Sequence, residues 1–512
     1  MKRVLIISYY WPPAGGSGVQ RWVKFAKYLP AEGWLPVVYT PLNPEISSVD
    51  ETLLKDIPAG TEIVKRPITE PYSFYRRIFG SKSSTDMQSL IKDSAAGATG
   101  GEVNPIGAGS KNWKQRLSLW IRGNFFIPDP RIWWVRPSVR FLKKYLKEHP
   151  VDVVVTTGPP QSMHLIGRGL HRATGIPWVA DFRDPWTKMF YYKHLHLSKR
   201  SDRRHHKLEK SVLDEASAVI SVTPFVQREF QEMTTTPVVL ITNGFDTDDF
   251  APLGEEGSSM KCPAPQDPSL LADGPSLLRC RGWHDFPDEP SSPGATSAGD
   301  SAPGSRRSLF PPGQTDPFRV NVRSGAESPA EFRITHTGLF AEDGNPLALW
   351  DALAAKCAEN EAFRSALRIR LVGKVDAAII AALEERGLGG HVDALGYRSH
   401  DEAVAEQRAA SLLILPLRQE PEYRNVLPGK IFEYLAAGRP VLGIGQEDGA
   451  AAEVLADTGT GVMHDWDRSA QIRAAVDAAW DGTFHFAPSG IARYTRRSLT
   501  HTLATLLNQL AQ

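Results

Sequence analysis

Thirteen short apolar runs are spaced along the chain, and most are followed by a segment whose apolar residues recur at helical spacing. The first series is 3–10 (RVLIISYY), 35–40 (LPVVYT), 61–68 (TEIVKRPI), 151–158 (VDVVVTTG), 176–182 (IPWVADF), 218–223 (AVISVT) and 238–244 (VVLITNG). The second is 332–338 (FRITHTG), 367–373 (LRIRLVG), 392–397 (VDALGY), 411–417 (SLLILPL), 439–445 (RPVLGIG) and 460–465 (TGVMHD). Few of these runs alternate with polar residues, which predicts strands buried on both faces, in parallel sheets covered by helices. After the first run, Val19, Trp22, Val23, Ala26 and Leu29 fall on one helical face. The pattern predicts an α/β chain of two doubly wound domains, 1–250 and 331–493. Ligand would sit in the cleft where the carboxyl ends of their strands face each other.

Two stretches break the rhythm. Between Pro287 and Gly313, 6 Pro, 4 Gly and 6 Ser account for 16 of 27 residues. Such composition does not build a core, so 251–330 is expected to be a disordered insertion. The second stretch, 71–140, mixes Trp, Phe, Arg and Lys. Aromatic and basic residues together suit an anionic membrane surface, with 111–147 as the contacting part and Arg116, Arg122 and Lys144 among its cations. The competing reading is an excursion packed on the first domain with its cations solvated.

Composition narrows the function classes. The 512 residues carry 59 Lys+Arg and 58 Asp+Glu, a net charge of +1, which argues against bulk nucleic-acid binding. Three cysteines (262, 280 and 357) do not make a disulfide framework and fit a reducing compartment, so a cytoplasmic location is expected. The opening MKRVLIISYYWPP lacks the length and cleavage site of a signal peptide, and no stretch approaches the ~20 apolar residues of a membrane span.

Candidate chemistry gathers after the runs. Gly15, Gly16 and Gly18 lie between the first strand and its helix, where backbone N–H groups and the helix N-terminus favour an anion. Arg21 stands where a dinucleotide fingerprint would need its third glycine, and no Gly-Lys-Ser/Thr follows, so oxidoreductase and P-loop readings weaken. WVADFRDPW places Asp181, Arg183 and Asp184 at a strand's carboxyl end, either facing ligand or tying down a loop. His164 shares a polar helical face with Arg168, His171 and Arg172, and such a face is more often plain solvent. Asp246-Thr247-Asp248 has the spacing of a divalent-cation site but too few oxygens. A capped turn with solvated acids is expected there, and no metal. In NVLPGKIFEYLAAGRPVL (425–442), Pro428-Gly429 and Gly438 bound a helix over 429–437 with Lys430, Glu433 and Tyr434 on one face. A surface Lys–Glu pair at this spacing would stabilise the helix by only ~0.2–0.5 kcal/mol. Placed in the cleft, the helix N-terminus and Lys430 would favour a diphosphate, and Glu433 could accept from a sugar hydroxyl.

The series SYYWPPAGGSGVQR, ADFRDPW, TNGFD, LVGKVD, LGYRSHDEA, SLLILPL and PGKIFEYLAAGRPVL resembles glycosyltransferase family 4. That resemblance implies the GT-B fold of two Rossmann-like domains and a retaining, metal-independent, cofactor-free enzyme. Its donor would be a nucleotide-diphosphate sugar, and a glycan or lipid-linked precursor its acceptor. It further implies that helix 494–512 crosses back to the first domain. Glu433 matches the second acid of the family's E-x7-E motif, which holds the donor ribose. The first acid falls at Asn425, a departure for which Glu422 is a possible stand-in. The usual diphosphate Arg and Lys are missing near HTGLFAEDGNP, leaving Lys430 and Lys374 as substitutes, helped by backbone at Gly15 and Gly16. Asp181, Arg183 and His164 join Asn425 as the catalytic candidates. Two further readings stay open. A nucleotide-sugar epimerase of the same fold would need acids able to move a proton at a sugar carbon. A binding protein that lost the chemistry is kept in play by Asn425.

Overall fold

The structure, a computed structural model, describes residues 1–46, 49–68, 120, 123–189, 192–250 and 331–512. The 251–330 insertion and most of 71–122, with Arg116 and Arg122, lie outside the described residues. All thirteen runs form strands. The first sheet contains β1 (Lys2–Ile7), β2 (Trp34–Pro41), β3 (Glu62–Arg66), β4 (Val153–Gly158), β5 (Trp178–Phe182), β6 (Ala218–Ser221) and β7 (Val238–Leu240). The second contains β8 (Phe332–Thr337), β9 (Leu367–Val372), β10 (Val392–Gly396), β11 (Leu412–Pro416), β12 (Val441–Ile444) and β13 (Gly461–His464). Most strands are shorter than the runs that predicted them, because the carboxyl ends peel into loops. The run 238–244 leaves its sheet after Leu240.

Strand order is β3-β2-β1-β4-β5-β6-β7 in one sheet and β10-β9-β8-β11-β12-β13 in the other. Neighbouring strands pair parallel, as Leu5 does with Val37 on one side and Val154 on the other. In each sheet the order reverses once, at β1/β4 and at β8/β11. Loops leaving there diverge and open a crevice at the carboxyl ends.

Helices cover both faces. The first sheet carries α1 (Ser17–Tyr28), α2 (Ile132–Glu148), α3 (Ser162–Thr174), α4 (Lys199–Glu215) and α5 (Pro224–Met233). The second carries α6 (Leu347–Glu359), α7 (Glu361–Ala366), α8 (Ala377–Glu385), α9 (His400–Ala409), α10 (Gly429–Ala437), α11 (Ala450–Thr458) and α12 (Ser469–Trp480). Successive strand residues serve opposite cores: Leu5 and Ile7 pack with α2 to α5, Val4 and Ile6 with α1. The final helix, α13 (Arg496–Leu510), belongs by packing to the first sheet. Its Leu499, Leu503 and Leu507 join the core beside Trp22 and Phe25 of α1.

The chain crosses between sheets after β7 and returns before α13, and the two crossings pair. Phe245 N donates to Tyr494 O at 3.1 Å, and Arg496 N donates to Phe245 O at 2.8 Å. Gly244 makes this approach possible, since a Cβ there would lie 2.1 Å from Tyr494 O. Of the two acids expected in a solvated turn beyond it, Asp248 is exposed as expected and Asp246 is not. Asp246 is buried, accepting from Lys24 at 2.7 Å, Lys27 at 2.8 Å and Tyr28 at 2.5 Å. Burial alone would raise its pKa, but the two lysines outweigh that and hold it well below the usual carboxylate range.

Candidate active site

A cleft of about 1200 Å³ opens between the carboxyl edges of the two sheets. The second-sheet wall is built first by α10. Its N-cap is Pro428, which offers no side-chain acceptor, so the first N–H groups of the helix are left for a ligand. Ile431, Phe432, Tyr434 and Leu435 are buried against the sheet. Tyr434 therefore does not share the polar face. Its hydroxyl lies in the core, accepting from Thr337 N at 3.0 Å. Lys430 and Glu433 do line the cleft, with Gly338 and Leu339 after β8 and Glu422, Tyr423, Asn425 and Leu427 after β11.

Lys430 is set by a buried neighbour that sequence reading missed. His336 is fully buried in β8, and burial together with the Lys430 charge pushes its pKa well below the ordinary value. The neutral ring places Nδ1 3.3 Å from Ile414 O and Nε2 3.1 Å from Lys430 Nζ. A carbonyl can only accept and an ammonium can only donate, so Nδ1 carries the proton and Nε2 accepts. Burial also draws Lys430 down to about 8, although Glu433 works in the opposite direction. Glu433 is oriented from α9: Gln407 Nε2 donates to Oε2 at 2.9 Å, leaving Oε1 to accept from a ligand.

The first-sheet wall comes from the loops after β1, β5, β6 and β7: Gly16, Gln20, Arg183, Asp184, Thr223, Asn243 and Gly244. Arg183 is clamped where it stands, Nε donating to Gly158 O at 3.1 Å and Nη2 to Pro159 O at 2.5 Å. Its guanidinium packs over the glycine loop so closely that a Cβ on Gly18 would lie 2.5 Å from Nη1. Burial raises the Asp184 carboxyl beside it, partly offset by Arg183.

Of the sequence candidates, Gly16, Arg183, Glu422, Asn425, Lys430 and Glu433 share this cleft. Four others do not line it. Asp181 is fully buried in a structural network, bonded to Arg21 Nη2 at 2.9 Å, Trp22 Nε1 at 2.7 Å and Thr157 Oγ1 at 2.9 Å. Burial would raise its pKa, but Arg21 wins and keeps it ionised. His164 is also fully buried rather than on a solvent face. Its ring stacks on Phe182 at 4.4 Å, Nδ1 meets Thr156 Oγ1 at 2.9 Å, and burial pushes it down to about 3. Lys374 is exposed outside the cleft, joined to the fold through its carbonyl, which accepts from Phe340 N at 2.9 Å. Gly15 lies next to the lining residue Gly16 but does not line the cleft itself.

Arg496, at the start of α13, was not anticipated. It is only 5% exposed, lines the cleft and a smaller neighbouring cavity, and its Nη1 has no partner among the described residues. The signal was in the sequence. Two arginines open a helix, where the dipole disfavours cations by ~0.3–1 kcal/mol, so a tertiary reason was needed.

Two parallel-sheet domains with a crevice between their carboxyl edges make the two-domain GT-B fold, and the comparisons agree. Residues 106–249 match Glycosyltransferase Family 4, and residues 331–481 match Glycosyl transferases group 1, together more than half of the chain. The chain belongs to the group 1 glycosyltransferases of GT-B fold and is an enzyme that transfers sugar from a nucleotide-sugar donor. It is similar in fold to sucrose-phosphate synthase from Thermosynechococcus elongatus, at 14% identity and a TM-score of 0.50, covering 100% of this chain and 99% of that one. The N-terminal domain of Candida albicans trehalose-6-phosphate phosphatase matches at 11% identity and a TM-score of 0.50, covering 100% and 97%. No curated protein matches the sequence significantly.

Proposed function

We propose that the protein is a retaining, metal-independent glycosyltransferase that extends a polysaccharide or glycolipid precursor at the cytoplasmic face of the membrane. The observation that carries this reading is the α10 wall. One uncapped helix N-terminus, the Lys430 ammonium and the Glu433 carboxylate lie together in the cleft. Breaking the anomeric bond puts negative charge on the leaving diphosphate and positive charge on the sugar. Fixed donors already aimed at the diphosphate stabilise that change without reorganisation. Lys430, held by His336, meets the phosphates, while Glu433, held by Gln407, accepts from the ribose hydroxyls. The positive charge that a metal would otherwise bring to the diphosphate comes here from Lys430 and the helix N-terminus.

Asn425 supplies a carboxamide at the sugar end, able to bond hydroxyls without adding charge. On the opposite wall, Arg183 and Asp184 meet the acceptor. In this reading the leaving phosphate takes the acceptor proton on the face from which it departs, so no separate protein base is required. The epimerase alternative would need two of the cleft acids, Asp184, Glu229, Glu422 and Glu433, to move a proton at one sugar carbon. Hydrolysis of the donor with release of free sugar, in place of an epimerised nucleotide sugar, would count against it.

Membrane association is part of the proposal, and α2 supports it. Trp134, Ser138, Leu142 and Leu146 are buried, and the stripe left outside carries Trp133, Arg136, Arg140, Lys143, Lys144 and Lys147. Among the described residues no helix is long and apolar enough to cross a membrane.

The test is donor hydrolysis or product formation with a panel of nucleotide-diphosphate sugars, with and without a chelator. Turnover should survive the chelator and fall at least 100-fold in Glu433→Ala and Lys430→Ala while their melting transitions match the parent. Variants that turn over like the parent would refute the assignment of this wall to the donor.

A further inference from the structure

We infer that Arg496 is a binding residue for the donor's diphosphate, acting together with Lys430 in the same cleft. The inference rests on the nucleotide-sugar reading above and adds a residue that the chain's resemblance does not supply.

A guanidinium has five N–H donors and normally spends them when it is buried. Arg21, near enough to act on Arg496 electrostatically, shows the ordinary outcome, bonding Asp181, Ile241 O and Thr242 O while fully buried. Arg496 is equally enclosed, yet makes no side-chain hydrogen bond or ion pair among the described residues, and its Nη1 is orphaned. Leaving a buried charged donor unpaired is strongly unfavourable, so a ligand that supplies the missing partner gains from it. Asp246, Asp249 and Glu433 lie near enough to favour its charge but are otherwise engaged, with Lys24 and Lys27 on Asp246, Lys24 and His400 on Asp249, and Gln407 on Glu433.

Two further observations indicate an anion. Burial and Arg21 draw Arg496 down to about 9, the sign of a cation whose field is not neutralised. Arg496 also stands at the N-terminus of a fifteen-residue helix, whose dipole adds to the positive potential there, although Phe245 O and the Thr495 side chain already take the Arg496 and Ser498 N–H groups. The same side chain lines the cleft that holds Lys430, Glu433 and Gly338. A diphosphate there would meet both a guanidinium and an ammonium, with the fork geometry of arginine suited to two phosphate oxygens.

The experiment is titration calorimetry of the full chain with UDP, GDP and ADP, and with the nucleoside of whichever binds. Arg496→Gln should weaken the bound nucleoside diphosphate at least tenfold, leave the nucleoside unchanged, and be partly rescued by Arg496→Lys. Arg497→Gln, one residue on and exposed, should bind like the parent. Equal binding by parent and Arg496→Gln overturns the inference alone, as does an equal loss for nucleoside and diphosphate, which a purely structural role would give. A parent that binds none of the three diphosphates overturns the nucleotide-sugar reading and the inference with it. Should Arg496→Gln fail to fold, Arg496→Lys decides. It keeps the packing and the charge but not the fork, so it should bind the diphosphate at least threefold more weakly, and parent-like affinity overturns the inference.

Discussion

At the residue scale, Lys430 gives the site a pH dependence with a definite sign. In the proposed reading its charged form holds the diphosphate, and burial places its pKa near the top of the physiological range, at about 8. Below that value the ammonium is intact, and as pH rises through it the cation is lost. Donor KM should therefore be flat between about pH 6 and 7, then rise by up to about tenfold by pH 9, where roughly a tenth of the lysine stays charged. Lys430→Arg should flatten the profile, because guanidinium does not titrate there. A parent profile without this rise would show that Lys430 does not carry the diphosphate. The neighbours that set this pKa were not readable in the chain. His336 and Gln407 are far from 430 and 433 in sequence and meet them only because β8, β11 and α9 bring their ends together. Asp181 and His164 misled for the same reason. A carboxylate at a strand end, or an imidazole on the helix that follows one, looks alike in sequence whether Arg21 or Phe182 encloses it or a ligand does.

At the scale of elements, apolar runs translated directly into strands because a parallel strand buried on both faces has little freedom to hide its pattern. The α10 boundaries were equally legible, being written in Pro428 and Gly438. What periodicity did not yield was the character of 71–140. Read as a block it mixes aromatic and basic residues without order. Once Trp134, Ser138, Leu142 and Leu146 are seen to face the core, the remaining stripe of α2 is basic with Trp133 at its head. Each cation near an anionic surface contributes ~1 kcal/mol, so Arg136→Gln, Arg140→Gln and Lys144→Gln together should weaken sedimentation with anionic vesicles by roughly 100-fold. Neutral vesicles should bind neither protein. Retained binding by the triple variant, or binding indifferent to lipid charge and salt, would remove the membrane from the proposal.

On the scale of the molecule, the two sheets are joined by a pair of crossings whose contact depends on one missing side chain. Gly244→Ala sets a Cβ 2.1 Å from the Tyr494 carbonyl, so the crossings must separate. The expected cost is about 1–3 kcal/mol, read as a lowered melting midpoint. Turnover should fall further than stability alone explains, since Gly244, Glu433 and Arg496 line the same cleft. A variant as stable and as active as the parent would show that the crossings tolerate the shift. The TNGFD stretch carried this glycine in plain view. Its reason was invisible, because the carbonyl it must clear belongs to a segment beyond the whole second sheet.

That arrangement constrains how the protein comes into being. Leu499, Leu503 and Leu507 complete the core on the α1 side of the first sheet, yet they are made after every strand of the second. On the ribosome the first domain must therefore wait with an apolar face uncovered while the second domain is synthesised. The completed core of the first domain and the paired crossings arrive in the same step, so a chain interrupted late in synthesis lacks both.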